Sequence, residues 1–112
     1  SWDRQLVSRV GGVIGQEALR TGTQALLAPN LNLLRSPLAG RAFELFGEDP
    51  RHIAELGAAW IDGVQRQGVG CIVKHMVCND SETDRRTMNV VVDEATLREV
   101  YFWPFEVAPI TG

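Results

Sequence analysis

Residues 74–86, KHMVCNDSETDRR, set Lys74 and His75 side by side at the end of an apolar run and follow them with three acids and two arginines. Arg41, Lys74, His75 and Arg85 all fall at the C-terminal end of a predicted strand or in the loop directly after it. Together they make a cationic, donor-rich rim. Such a rim suits a ligand with many hydroxyl oxygens, because arginine forks and lysine hold acceptors in fixed directions. The geometry poses a difficulty, however. On a regular strand neighbouring side chains point to opposite faces, so an ordinary backbone cannot aim both Lys74 and His75 at one ligand.

Other chemistries find less support. Cys71, His75 and Cys78 imitate metal-ligand spacing, yet on a strand they spread over more than ~20 Å, whereas a zinc site gathers its ligands within ~2.0 to 2.3 Å of one point. No metal site is expected. Cys71 and Cys78 would lie roughly 23 Å apart on an extended chain, too far for a bridge that needs Cα atoms within ~7 Å. Gly11-Gly12-Val13-Ile14-Gly15 looks faintly like a phosphate loop but lies inside an amphipathic helical pattern, which favours close helix packing. No glycine-flanked serine forms a nucleophile elbow, and His52 falls on the first turn of a predicted helix, on its solvent face. The loop carboxylates Glu44, Glu48, Asp49, Asp80, Glu82 and Asp84 all stand beside arginines, which reads as local salt-bridge scaffolding. Asn79-Asp80-Ser81 is formally a glycosylation sequon, and it reads as coincidental.

The elements that must position these residues follow from periodicity. Leu6, Val10, Val13, Ile14 and Ala18 mark a first helix with one buried stripe, already under way near Ser1 and ending at Thr21-Gly22. Ala25 to Ala28 reads as a strand covered on both faces, closed by Pro29-Asn30, and the polar loop NLNLLRSPLAGRAFELFGEDP follows. Asp49-Pro50 supplies an N-cap with proline at the first helical position, and Ile53, Leu56, Trp60, Ile61 and Val64 form a stripe down to Gly68. Cys71 to Val77 is a second strand, and CNDSETDRRTMN is too polar to be packed inside. VVVDEATLREVYFWPFEVA begins extended, takes Asp93 as a cap and continues as a helix with Leu97, Val100, Tyr101, Phe105 and Ala108 inward, kinked at Pro104.

Helix, strand, helix, strand, helix is the rhythm of a parallel α/β fold. Two strands do not complete a sheet, and a full barrel needs about 250 residues, so the 112 residues read as a piece of a larger α/β domain. The best-formed loops lie at the C-terminal strand ends, where chemistry sits in such folds. A composition of 45 % hydrophobic and 22 % charged residues is that of a soluble globular protein. The net charge of −3, with arginines spread along the chain, argues against nucleic acid or a membrane surface as partner. The apolar runs are far short of the ~20 residues of a membrane span, and no signal peptide opens the chain.

Three long motifs, RSPLAGRAFELFGEDP, KHMVCNDSETDRR and VVVDEATLREVYFWPFE, resemble glycoside hydrolase family 3 in order and spacing, and most closely its β-glucosidases. The first keeps Arg35, Ser36, Pro37, Gly40, Arg41, Phe43, Glu44, Glu48, Asp49 and Pro50, and departs at Ala42 and Gly47. The second keeps Lys74, His75, Asn79, Glu82 and Arg85, with Met76 where phenylalanine is usual and Ser81 where glutamine is usual, the latter affecting a loop hydrogen bond.

The resemblance implies a fragment of an N-terminal (β/α)₈ barrel spanning residues 1–112. It implies that Arg41, Lys74, His75 and Arg85 hydrogen-bond the non-reducing-end sugar of a β-glucoside or oligosaccharide in the −1 subsite, with no cofactor. It also implies retention through a covalent intermediate and two carboxyl groups that belong to other parts of the parent chain, leaving Glu44, Glu82 and Asp84 to orient arginines. Relatives carry a non-proline cis peptide between the paired lysine and histidine, so a cis or strongly distorted Lys74–His75 bond is expected. Two rival readings remain: a non-catalytic carbohydrate-binding or scaffolding piece, and a flavodoxin-like domain, for which the glycine-rich strand-to-helix turn is missing.

Overall fold

A computed structural model describes residues 2–111. Helix α1 runs Arg4–Arg20, with the Asp3 carboxylate accepting the Leu6 N–H at 3.0 Å as its cap. It stops at Thr21, and Gly22 follows at φ +76, a left-handed conformation that glycine adopts without a Cβ clash. The buried face differs from the expected stripe. Val7, Gly11, Gly15 and Ala18 face inward, while Leu6, Val10 and Val13 are 45, 46 and 57 % exposed.

The reason lies in the partner helix. α2, Pro50–Gln65, packs against α1 backbone to backbone: a Cβ on Gly11 would fall well inside 3.0 Å of the Trp60 carbonyl oxygen, and one on Gly63 closer still to that of Ser8. Close approach, not side-chain volume, selects the buried face, so the GGVIG stretch is the helix-packing surface its pattern suggested. α2 itself follows expectation. Asp49 accepts the Arg51 and His52 N–H groups at 2.7 and 3.2 Å, and the whole predicted stripe is buried. Ten of its sixteen residues are buried, because α1 covers one side and the C-terminal helix another. His52 is not on a free solvent face; it is half-buried, its ring centroid 4.3 Å from that of Trp2.

Strands β1, Ala25–Leu26, and β2, Gly70–Cys71, pair in parallel with Ala25 opposite Gly70 and Leu26 opposite Cys71, and α2 is the crossover between them. The expected cover on both faces is absent within the described residues, since Leu27 is 68 % and Ile72 51 % exposed. The second strand is also shorter than Cys71 to Val77. Pairing returns as an isolated parallel bridge between Asn30 and Lys74, with Lys74 N–H donating to the Pro29 carbonyl at 3.0 Å and Leu31 N–H to the Lys74 carbonyl at 2.7 Å, and Asn30 also bridges in parallel to Leu45. Beyond it a side chain, that of Asn32, replaces the strand ladder. Asn30, Leu31, Asn32 and Leu33 are all buried, so the loop that reads as polar begins inside the core.

The C-terminal segment is helical in three parts: α3, Glu94–Thr96, capped by Asp93; a π turn, Leu97–Tyr101; and α4, Trp103–Thr111. Pro104 has no N–H to offer the Val100 carbonyl, and just before it the Phe102 N–H reaches back to Leu97 at 2.8 Å. The expected kink is thus a widened turn. Tyr101, Phe105 and Ala108 are buried as anticipated, and Leu97 and Val100 half-buried. Among the described residues no helix is long and apolar enough to cross a membrane.

Candidate functional site

Two glutamates organise the site. Arg41 immediately precedes a 3₁₀ turn, Ala42–Glu44, that brings the Glu44 carboxylate back onto its guanidinium. The other oxygen of Glu44 lies 3.0 Å from Lys74 Nζ, so one carboxylate joins the first loop to the end of β2. Burial opposes the charge on Glu44, but the hydrogen bonds and charges of Arg41 and Lys74 outweigh it and hold the carboxyl below its ordinary 4.5. Glu82 does the same on the other flank: one oxygen is 3.0 Å from Arg85, the other 3.7 Å from Arg41, and the Asn79 amide donates to it at 3.2 Å. Three cations share two carboxylates, leaving one positive charge uncompensated. The four residues singled out from sequence therefore meet in one cluster, in which Arg41, Lys74 and His75 are half-buried and Arg85 is exposed. Asp84 does not join it: at φ +50 it shapes a turn, its carbonyl accepting from Thr87 and Met88.

His75 enters through Arg41, whose guanidinium sits 2.7 Å from Nε2. Guanidinium only donates, so Nε2 must present its lone pair and the neutral ring carries its proton on Nδ1. That nitrogen is buried without a hydrogen-bond partner among the described residues. The Lys74–His75 peptide is cis, as expected, and so is Met76–Val77. Both side chains of the pair end in the same charged cluster.

The residue that holds His75 was not anticipated. Asn32, fully buried, donates from Nδ2 to the His75 carbonyl at 2.9 Å and accepts the His75 N–H on Oδ1 at 3.0 Å, while Asn30 Oδ1 accepts the Asn32 N–H at 3.1 Å. The available signal was the alternation Asn30-Leu31-Asn32-Leu33. Asparagines set between buried leucines must find backbone partners.

Burial, reinforced by the charges of Arg41 and Lys74, pushes the His75 pKa below its ordinary 6.5 against the pull of Glu44 and Glu82. The native state therefore resists protonation of this ring. The stability this contributes is complete above pH 6.5, the unfolded value, and is lost as pH falls below it. Thermal unfolding midpoints of the full-length protein at stepped pH are expected to fall below pH 6.5 more steeply for the wild type than for His75→Gln. Parallel curves would reject this assignment.

Among the described residues no group of three histidine, cysteine, aspartate or glutamate side chains could hold a metal ion, and Cys71 and Cys78 are both free thiols. What the site offers is donors: two arginine forks, an ammonium and a neutral imidazole, held by carboxylates on loops at one end of a parallel strand pair. Residues 1–109 match the model of the glycosyl hydrolase family 3 N terminal domain.

The chain belongs to glycosyl hydrolase family 3.

It is 52 % identical over 108 residues to thermostable β-glucosidase B of Acetivibrio thermocellus and 49 % identical to a β-glucosidase of Rhizobium radiobacter, each alignment covering 96 % of this chain. The family-3 segment spans only 14 and 13 % of the length of those curated relatives. Among solved structures, β-glucosidase 3B of Thermotoga neapolitana in complex with α-D-glucose superposes with a TM-score of 0.92 at 44 % identity, over 96 % of this chain and 15 % of that one. The β-glucosidase of Kluyveromyces marxianus in complex with glucose gives 0.94 at 38 % identity, over 97 and 13 %. The helix–strand–helix–strand–helix order of the segment thus has the fold of the corresponding part of these β-glucosidases.

Proposed function

We propose that residues 1–112 are part of the N-terminal (β/α)₈ barrel domain of a retaining β-glucosidase that releases terminal β-linked glucose from glucosides and oligosaccharides. In this reading Arg41, Lys74, His75 and Arg85 hydrogen-bond the sugar of the −1 subsite. The nucleophile and the acid/base carboxyl belong to other parts of the parent chain. One observation carries the reading. Glu44 and Glu82 cross-link Arg41, Lys74 and Arg85, and Arg41 brings in His75, to make a single cluster at the C-terminal end of two parallel strands, the edge at which barrel enzymes bind substrate.

The chemistry is consistent with a neutral polyol. A carboxylate locked between two cations cannot move to attack, so Glu44 and Glu82 orient rather than react. Each cation spends part of its donor set on them and keeps the remaining N–H groups for hydroxyl oxygens. The glucose complexes of the related enzymes support the same ligand class. The parallel β1–α2–β2 unit, with one sheet face uncovered among the described residues, supports a piece of a closed sheet.

The test is kinetic and uses the full-length enzyme. Lys74→Ala and Arg85→Ala are each expected to lower kcat/KM on an aryl β-glucoside, Lys74→Ala more, since Lys74 is the less exposed of the two. Wild-type kinetics in both variants would reject the subsite assignment.

A further inference from the structure

A second buried polar group lies behind the loop that carries Glu82 and Arg85. Tyr101, in the π turn, is buried, and its hydroxyl accepts a hydrogen bond from the Arg35 guanidinium. Asp80 faces the same pair. Its Oδ1 is buried without a partner among the described residues, and its charge interacts with both Arg35 and the Tyr101 hydroxyl. Asp80 directly follows Asn79, whose amide donates to Glu82. Glu82 in turn holds both Arg85 and Arg41. A path of polar contacts, joined by the peptide link from Asp80 to Asn79, therefore runs from the C-terminal helical segment to the donors at the rim.

We propose that Tyr101, with Arg35 and Asp80, is a positioning residue for sugar binding: the trio anchors the 79–85 loop so that Glu82 can hold Arg85 in place. The inference rests on the reading of Arg85 as a substrate-binding residue. Asp80 and Tyr101 behave as a desolvated pair should. Burial, then the charge of Asp80, pushes the Tyr101 hydroxyl up. Burial likewise raises the Asp80 carboxyl against the pull of Arg35 and Tyr101. Polar groups of this kind are retained at a cost in desolvation, and here they connect two segments that share no strand pairing.

Tyr101→Phe keeps the ring in the core and removes only the hydroxyl; Asp80→Asn keeps the shape and removes the charge. In the full-length enzyme each is expected to lower kcat/KM on an aryl β-glucoside roughly ten-fold, the scale of one hydrogen bond involving a charged group. The loss should divide between KM and kcat as it does in Arg85→Ala. In an Arg85→Ala background Tyr101→Phe is expected to add about two-fold or less, because the residue it positions is gone. Three results would overturn the proposal. One is a lowered melting temperature with unchanged kcat/KM in both variants. Another is a Tyr101→Phe loss of equal size in the presence and absence of Arg85. The third, an Arg85→Ala enzyme with wild-type kinetics, removes the subsite role of Arg85 together with the positioning role; the first two leave that subsite role standing.

Discussion

Replacing Arg41 with alanine in the full-length enzyme is expected to lower kcat/KM on an aryl β-glucoside by ~10² to 10³-fold, the largest loss among the four donors. Arg41 is the residue that touches both carboxylates and the histidine. Its removal leaves Glu44 with Lys74 alone and Glu82 with Arg85 alone among the cations, and it strips the acceptor nitrogen of His75 of its donor. Truncating one member of a desolvated, hydrogen-bonded charge pair costs ~2 to 5 kcal/mol. The Arg41 side chain is 25 % exposed, so water partly screens the loss and the middle of that range applies. Lysine at the same position keeps the charge but has no fork with which to reach two carboxylates. Arg41→Lys should therefore recover only a minor part of the activity. An Arg41→Ala enzyme within about three-fold of wild type would contradict the hub role.

Gly63→Ala is expected to destabilise the protein by ~3 kcal/mol or more, measured by thermal or denaturant unfolding of the full-length chain. Adding a methyl group to a filled interior costs ~1 to 3 kcal/mol when neighbouring side chains can yield. At Gly63 the obstruction is the backbone carbonyl of Ser8, so relief requires α1 and α2 to move apart along their whole seam. That movement also opens the contacts around Gly11 and Gly15. Gly12→Ala is the matched control. Its Cβ would meet the Gly63 carbonyl oxygen and the Gln67 amide at 3.7 Å, ordinary contact distances, and alanine gains up to ~1 kcal/mol over glycine in a helix. Equal stability of the two alanine variants would show that the helices are not held at backbone contact.

How far the site was legible depended on how far apart its parts lie in the chain. Arg41, Lys74, His75 and Arg85 stand out because charge at the end of an apolar run is conspicuous locally. Glu44 and Glu82 could be paired with Arg41 and Arg85 on the same grounds, three residues away. The link from Glu44 to Lys74, which turns two local pairs into one site, crosses from the first loop to the second strand and has no local signature. Asn32 was missed for the same reason: its amide serves the backbone of His75 across the fold. Asp84 was assigned to an arginine on proximity alone, and it shapes a turn instead.

The same division holds for the whole segment. Sequence by itself determined the helix boundaries at Asp49-Pro50, Thr21-Gly22 and Asp93, the buried stripe of α2, the parallel order of its elements and its family, because capping, periodicity and motif spacing are written between near neighbours. Tertiary structure alone decided that α1 buries its glycines rather than Leu6, Val10 and Val13, and that the LNL stretch lies in the core. It alone also joined Tyr101 to Arg35. Each of those outcomes depends on a partner tens of residues away, on how closely two backbones can approach, and on which buried polar group finds its complement there.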